Sequence, residues 1–266
     1  SLRSPRERAH CASSGSEPTP VPSTSPEISP PEPREVIRDG DRVVSIAGGG
    51  VSTGLETLAS PYREMVEGAM KAVQIQPPKA VADLIGTTGV LLGTAAETAA
   101  VGLRRPVGTS VETDRPVLAW TPQPGAEYLV SLYDEQYTDV AASGWIRSTE
   151  WQIPRPLRRA ARYSWQVTAR RDGRETTVPV PPAPEARFRV ISTNEQQELE
   201  EVRRAQGGSH LLLALVYVQA GLLDDAEREL AALVEANPES RVAAALAPSV
   251  ERFRYKRPPI ATKPAQ

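Results

Sequence analysis

Thiols, imidazoles and long apolar runs are scarce in this chain of 266 residues, which carries one cysteine and two histidines. A single cysteine excludes an intramolecular disulfide framework. Cys11, His10 and His210 do not make up the four ligands of an ordinary structural zinc site. A nucleophilic triad needs a base beside its nucleophile, usually histidine. His10 falls in a proline-rich stretch, and His210 falls in the first turn of an apolar helix, where it reads as a packing residue. No run of about 18 apolar residues occurs, so no segment reads as a bilayer span. The closest, residues 84–103, is interrupted by Gly86, Gly89, Gly93 and Glu97 and suits strands and turns. Charge of one sign is also missing: 31 Lys and Arg face 33 Asp and Glu, a formal net charge of -2, and aromatics make up 5%. That balance supplies neither a broad basic field nor a stacking platform for nucleic acid, which is not an expected partner.

Proline is plentiful, with 26 residues, roughly twice the average usage of about five per cent. Seven of them, Pro18, Pro20, Pro22, Pro26, Pro30, Pro31 and Pro33, lie among Ser, Thr and Glu. Residues 1–33 cannot offset their ordering entropy by burial and are expected to be a disordered tether. Such a tether points to something preceding Ser1: an anchor, a signal peptide or another domain. Cys11 with Ala12, Ser13 and Ser14 looks like the start of a mature bacterial lipoprotein, yet residues 1–10 hold three arginines where an apolar signal belongs. A plain linker cysteine is the alternative. Membrane association would come only through a part missing before Ser1. Residues 256–266 are expected to be a disordered tail.

Residues 34–105 read as a small α+β module. Two strand-like runs, 36–38 and 43–46, flank Asp39-Gly40, a tight-hairpin signal. Gly48, Gly49 and Gly50 lack the Lys-Ser/Thr of a phosphate loop and read as a turn. Ser60 and Pro61 supply an N-cap and a first-turn proline for a helix through Val73. Its apolar positions Tyr62, Met65, Val66, Ala69 and Val73 recur at helical spacing. Pro77-Pro78 stops it, and a short helix is expected over 79–85.

Residues 106–192 alternate as strands. Pro116, Val117 and Leu118 lead to Trp120; Tyr128, Val130 and Leu132 share one face, with Glu127, Leu129 and Ser131 on the other. A hairpin partner is expected over 137–142, and a strand at Trp151 and Ile153. Tyr163, Trp165, Val167 and Ala169 follow on one face. Asp172-Gly173 closes a hairpin, and Phe188 with Val190 ends the set. The run from about 107 to 191 resembles the fibronectin type III and related immunoglobulin-like sandwiches, through Trp120 and the strand from Tyr163 to Ala169. The resemblance implies that the Tyr163 hydroxyl ties down a corner of the fold. The connection through Pro179 and Pro184 is longer than such folds usually carry.

Residues 193–255 read as helical. A charged helix spans 194–205, with Leu199 and Val202 as contacts, and Ser209 caps the next. Residues 210–220 are apolar all round, so that helix must be covered on several sides. Gly221 ends it. Residues 222–236 form an amphipathic partner with Asp224 and Asp225 in its first turn, where carboxylates suit the helix dipole. A further helix over 240–254 is expected to break at Pro248. The match of Leu213, Ala214, Tyr217, Gly221, Ala226, Leu230 and Pro238 resembles a single tetratricopeptide repeat over about 207–240, whereas solenoids usually stack three or more. The resemblance implies a groove lined by first-helix residues, here Leu211, Leu215 and Val218. It either packs internally or receives an apolar partner.

Arg155, Arg158, Arg159 and Arg162 form a basic run, either a solvated face or a patch for an acidic partner. Trp145 and Trp151 read as core residues, with the alternative that one of them is exposed for carbohydrate stacking. The carboxylate pairs Asp134-Glu135 and Asp224-Asp225 are explained as turn and cap residues. The chain is thus expected to be a multi-domain α+β protein: an α+β module, a fibronectin type III-like β-sandwich and a tetratricopeptide-like cap. Its expected role is non-enzymatic and free of cofactors, as a protein–protein scaffolding subunit of the bacterial cell envelope, periplasmic or extracytoplasmic. The alternatives are a carbohydrate or envelope-polymer binder, or the extracytoplasmic sensor half of an anchored signalling protein.

Overall fold

Strand β1 (Glu35–Asp39) places Glu35, Ile37 and Asp39 on one face and Val36 and Arg38 on the other, the period-two consequence of an extended chain. It heads an antiparallel meander with β2 (Arg42–Ala47) and β3 (Gly50–Thr53), paired in the order β1-β2-β3. The turn passes through Gly40 at φ +61°, and a Cβ there would lie 1.4 Å from the carbonyl oxygen of Gly208, so only glycine fits. This computed structural model describes residues 35–47, 50–56, 58–76, 84, 101–180, 185–206 and 208–254. The expected tether with His10 and Cys11, the turn at Gly48 and Gly49, the helix over 79–85 apart from Leu84, and the tail over 256–266 lie outside those residues.

Helix α1 (Ser60–Ala72) follows the meander and buries Val66, Ala69 and Met70. Two details differ from the sequence reading. Ala59 occupies the N-cap without a side-chain bond, while Ser60 lies inside the first turn and donates its hydroxyl to Glu64. Val73 adopts the left-handed cap conformation at φ 48° and is exposed, and Met70 takes the inward position expected of it.

Nine strands follow. β4 (Leu103–Arg105), β6 (Val117–Trp120) and β9 (Glu150–Gln152) form one sheet in the order β4-β6-β9. β5 (Thr109–Val111), β12 (Ala186–Val190), β10 (Ala161–Arg171), β7 (Glu127–Tyr133) and β8 (Asp139–Ile146) form the second in that order, with β11 (Arg174–Val178) also paired to β10. The 11-residue β10 is the hub: its first half pairs with β12, its second half with β11, and its other edge with β7. Leu118 and Trp120 from the small sheet share one apolar cluster with Val130, Leu132, Trp165, Val167 and Phe188 from the large one. Trp120 meets Tyr128 edge-on at 5.5 Å between centroids, joining the sheets. Trp165, fully buried, donates its indole N–H to the Pro106 carbonyl at 2.9 Å, which satisfies a polar group that burial would otherwise leave unpaired. The Tyr163 hydroxyl donates to the Arg158 carbonyl at 3.2 Å. Strand β4 lies ahead of position 106, and β8 runs to Ile146, so both begin or end beyond the expected limits.

Four helices follow among the described residues: α2 (Thr193–Gln206), α3 (His210–Ala220), α4 (Leu223–Ala236) and α5 (Arg241–Arg254). A capping box opens α2, where Ser192 accepts from the Glu195 N–H and Glu195 accepts from the Ser192 N–H. Ser209 caps α3, and Gly221 ends it at φ 77°. Helix α5 runs on through Pro248 rather than breaking there. The described residues are therefore of mixed α+β class, with five helices and several sheets, and no helix among them is long and apolar enough to cross a membrane.

The helices do not stand apart from the N-terminal meander. Ile37, Val44, Ile46, Val66 and Met70 belong to one apolar cluster with Leu199, Leu211, Leu215, Leu230 and Leu246. The boundary expected at 105 thus separates segments of one core, while the two-sheet cluster lies between them in sequence. Polar groups fix the docking. The buried carboxylate of Asp39 accepts from the Ser209 hydroxyl and from the Leu211 N–H at 2.9 Å. Glu35 accepts from the Ser240 hydroxyl and from the Val242 N–H at 3.0 Å. Between them, Asn237 accepts from the Arg38 N–H and donates to the Arg38 carbonyl, both at 2.7 Å, pairing with β1 as a neighbouring strand would. Loss of a capping acceptor that also satisfies a buried hydroxyl costs about 2–3 kcal/mol. Asp39→Ala is expected to lower the unfolding free energy by that amount in denaturant titration, and Asp39→Asn, which keeps one acceptor oxygen, by less. A change under about 0.5 kcal/mol would show that this carboxylate does not hold α3.

Candidate interaction site

Helix α1 crosses α3 and leaves an open groove of about 510 Å³ between them. Leu215 and Val218 of α3 line it at i, i+3 spacing, and Met65 and Ala69 of α1 face them at i, i+4. Ile75 closes one end, where the left-handed Val73 turns the chain out of α1. Glu64, Gln74, Gln76 and Gln219 add polar groups to an otherwise apolar lining. Gly68 also lines the groove, and a Cβ built on it would meet nothing within 4 Å. Apolar walls with few polar groups suit an apolar ridge from a partner, and among the described residues Glu64 is the single ionisable group of the lining.

The three residues expected to form a partner groove are thus placed differently from one another. Leu215 and Val218 are only 4% and 2% exposed, yet both reach the groove wall. Leu211 is fully buried beside the Asp39 cap and does not line it. Of the basic run, Arg155, Arg158 and Arg162 are exposed. Arg159 turns inward, donating to the carbonyls of Glu112 at 3.0 Å and Ile191 at 3.4 Å, with Asp114 at 3.9 Å. Its charge belongs to the base of the two-sheet unit. Trp151 is half-buried against the core, and Trp145 carries the Arg170 guanidinium over its ring at 3.9 Å. The His210 Nδ1 lies 2.8 Å from the Glu229 carboxylate, tying α3 to α4. Among the described residues, no three His, Cys, Asp or Glu side chains are grouped so as to hold a metal ion.

Sequence reasoning passed over the charges that join the sheets to the helices. Arg203 of α2 forms a bidentate pair with Glu112 at 2.8 and 2.6 Å and donates a third bond to the Tyr217 hydroxyl at 2.8 Å. Arg189 of β12 forms a second with Glu195 at 3.2 and 2.6 Å. Thr109 and Ser110 of β5 meet the α3–α4 turn: the Thr109 hydroxyl and Ser110 N–H both donate to the Gly221 carbonyl, and Thr109 accepts from the Leu223 N–H. A lone threonine at the start of a short strand carries no sequence signal for such a contact. The Arg and Glu positions were readable only as scattered surface charge.

Neither curated proteins nor family models match this chain. Among solved structures it is similar to two crystal structures of Parabacteroides merdae β-glucuronidase, one with glycerol in its active site. They are 10% and 12% identical over 51% and 50% of this chain, with TM-scores of 0.23 and 0.22. The match spans 26% of the length of each. Likeness at that level carries no argument about fold or activity.

The paired charges give the junction a pH dependence. The Arg203 guanidinium holds Glu112 below the usual carboxylate range. Burial pushes Glu195 up, but the bonds from Arg189 and Ser192 outweigh it and leave it lowered. The stability these two carboxylates contribute is fully present above their unfolded value of about 4.3 and is lost as pH falls through their folded values. Asp225, raised by burial, acts in the opposite direction and favours the fold at lower pH. Glu112→Gln is therefore expected to flatten the acid side of the stability–pH curve relative to the parent chain. Superimposable acid limbs would mean the Arg203 pair contributes nothing to folding.

Proposed function

We propose that this protein is a non-enzymatic interaction or scaffolding subunit of the bacterial cell envelope, acting outside the cytoplasmic membrane. The observation that carries this reading is the α1–α3 groove, an apolar trough with few polar groups, set in a core that fixes both of its walls. A partner would insert an apolar helical ridge and meet the glutamines Gln74, Gln76 and Gln219 around it. The two-sheet unit is read as a fibronectin type III-like sandwich. The strand orders β4-β6-β9 and β5-β12-β10-β7-β8 support this, as does the Tyr163 hydroxyl bond at the foot of β10. Helices α3 and α4 are read as a tetratricopeptide-like pair, supported by the buried small residues Ala214 and Ala226 at their contact. In this reading the sandwich is a rigid spacer joined through Glu112 and Gly221, and the helical side presents the groove.

The glycine in the groove wall provides a clean test. Gly68→Arg places a long side chain at an exposed position where the added Cβ meets no neighbour within 4 Å. The variant should keep the circular dichroism spectrum and melting midpoint of the parent chain. It should lose the proteins that the parent recovers from cross-linked envelope extracts, while Glu201→Arg, at an exposed position of α2 outside the groove lining, retains them. Equal recovery by Gly68→Arg and the parent would remove the groove from the account.

A further inference from the structure

The turn between β7 and β8 holds a tyrosine in a backbone conformation that costs free energy. Asp134 accepts from the N–H groups of Gln136 and Thr138, both at 2.9 Å, and its carbonyl accepts from the Tyr137 N–H at 3.1 Å. That arrangement sets Tyr137 at φ 59°, in the left-handed region where glycine or asparagine is the ordinary choice and a bulky aromatic is an outlier. Burial does not repay the strain, because Tyr137 is 60% exposed. Its hydroxyl donates to the Glu185 carboxylate at 3.1 Å and accepts from Arg187 at 3.3 Å, so the ring is pinned in place on the surface. Strain kept at an exposed aromatic residue points to use of its ring.

Two depressions flank that ring on the outer side of the large sheet. One, of about 420 Å³, contains Tyr133, Ser164, Gln166 and Thr177; the other, of about 240 Å³, contains Asp134, Glu135, Arg162 and Arg187. Tyr137, Ser164 and Glu185 line both, so the two are continuous across the tyrosine. Gln166 donates its amide to the Tyr133 hydroxyl at 2.9 Å, and Thr177 pairs with Thr168 at 2.8 Å, so these polar groups are held in position along the sheet. The charges are of both signs, with Asp134, Glu135 and Glu185 set against Arg162 and Arg187, and such a surface favours a neutral ligand over a polyanion or a basic peptide. Amides, hydroxyls and paired ions on both sides of an apolar ring match sugar hydroxyls around a flat C–H face.

We propose that this surface binds a neutral, β-1,4-linked pyranose chain, with one sugar ring stacked on Tyr137 and its neighbours in the two depressions. Two depressions continuous across one ring suit consecutive sugars of a ribbon-like polymer, one stacked and its neighbours to either side. Trp145 is not taken as the platform, since Arg170 already occupies one face of its ring. The proposal stands apart from the α1–α3 groove and does not depend on it.

Calorimetric titration of the full chain with cellohexaose and chitohexaose tests it. Binding of at least one of the two is expected. Tyr137→Phe should bind within about threefold of the parent chain, and Tyr137→Gly about tenfold or more weakly. The glycine variant should also melt at the same temperature or higher, because the strained φ is relieved. Gln166→Ala, which leaves the turn untouched, should weaken binding as well and decides the matter if Tyr137→Gly does not fold. Absence of binding to both sugars overturns the proposal, as does full affinity in a folded Tyr137→Gly or, failing that, in Gln166→Ala.

Discussion

The carboxylates of β1 are the constraint on which the arrangement of the helical half depends. A strand edge carrying Glu35 and Asp39 two positions either side of Ile37 presents two anions and one apolar residue in line. Helices α3 and α5 present their unpaired N–H groups to that edge, and each receives one carboxylate. The first turn of a helix lacks intrahelical partners for its donors and bears partial positive charge, so a buried carboxylate there is satisfied electrostatically and by hydrogen bonds. Ile37, fully buried between the two, seals the contact from water. The same geometry explains why Gly40 must be glycine: the hairpin turn runs against the backbone at Gly208, just before α3 begins.

The junction with the two-sheet unit is built on different terms. Its core is apolar and self-contained, and it meets the helices through Thr109, Ser110 and two bidentate Arg–Glu pairs rather than through a shared apolar layer. Such pairs are directional, because the guanidinium fork fixes the carboxylate plane. Each is half-buried, with side-chain exposures between 16% and 32%, so solvent weakens it less than a fully exposed pair. Orientation between the two units therefore comes from a few matched polar contacts, while the stability of each comes from its own core.

Much of the local structure was legible in the residues. The alternation from Tyr128 to Leu132 and from Tyr163 to Ala169 gave strands with the expected buried faces, since a two-residue period leaves little freedom once one face is apolar. Ser209 and Gly221 marked both ends of α3 because cap chemistry is local. What escaped the sequence was long-range. Asp39 looked like a turn residue, and its role as the acceptor for α3 joins positions 172 residues apart. Asn237 follows the last turn of α4, and nothing in its residue type announces that its side chain pairs with the Arg38 backbone. The apolar surface of α3 did signal a need for cover: α4 packs most closely against it, and α1 meets another part of α3. Nothing in either segment alone names the other, so the groove between them could be sensed only as a stripe of leucine and valine. Tyr137 was read as the start of a strand, and its backbone strain has no signature in residue type.

Native-state hydrogen exchange at the Leu211 and Val242 amides tests the capping arrangement most directly. If the β1 carboxylates hold both helices, these two N–H groups exchange only through global unfolding, with protection matching that of the α3 interior at Leu215. Rapid exchange at Leu211 and Val242, with Leu215 still protected, would show that the helices stand without β1 and would contradict the account.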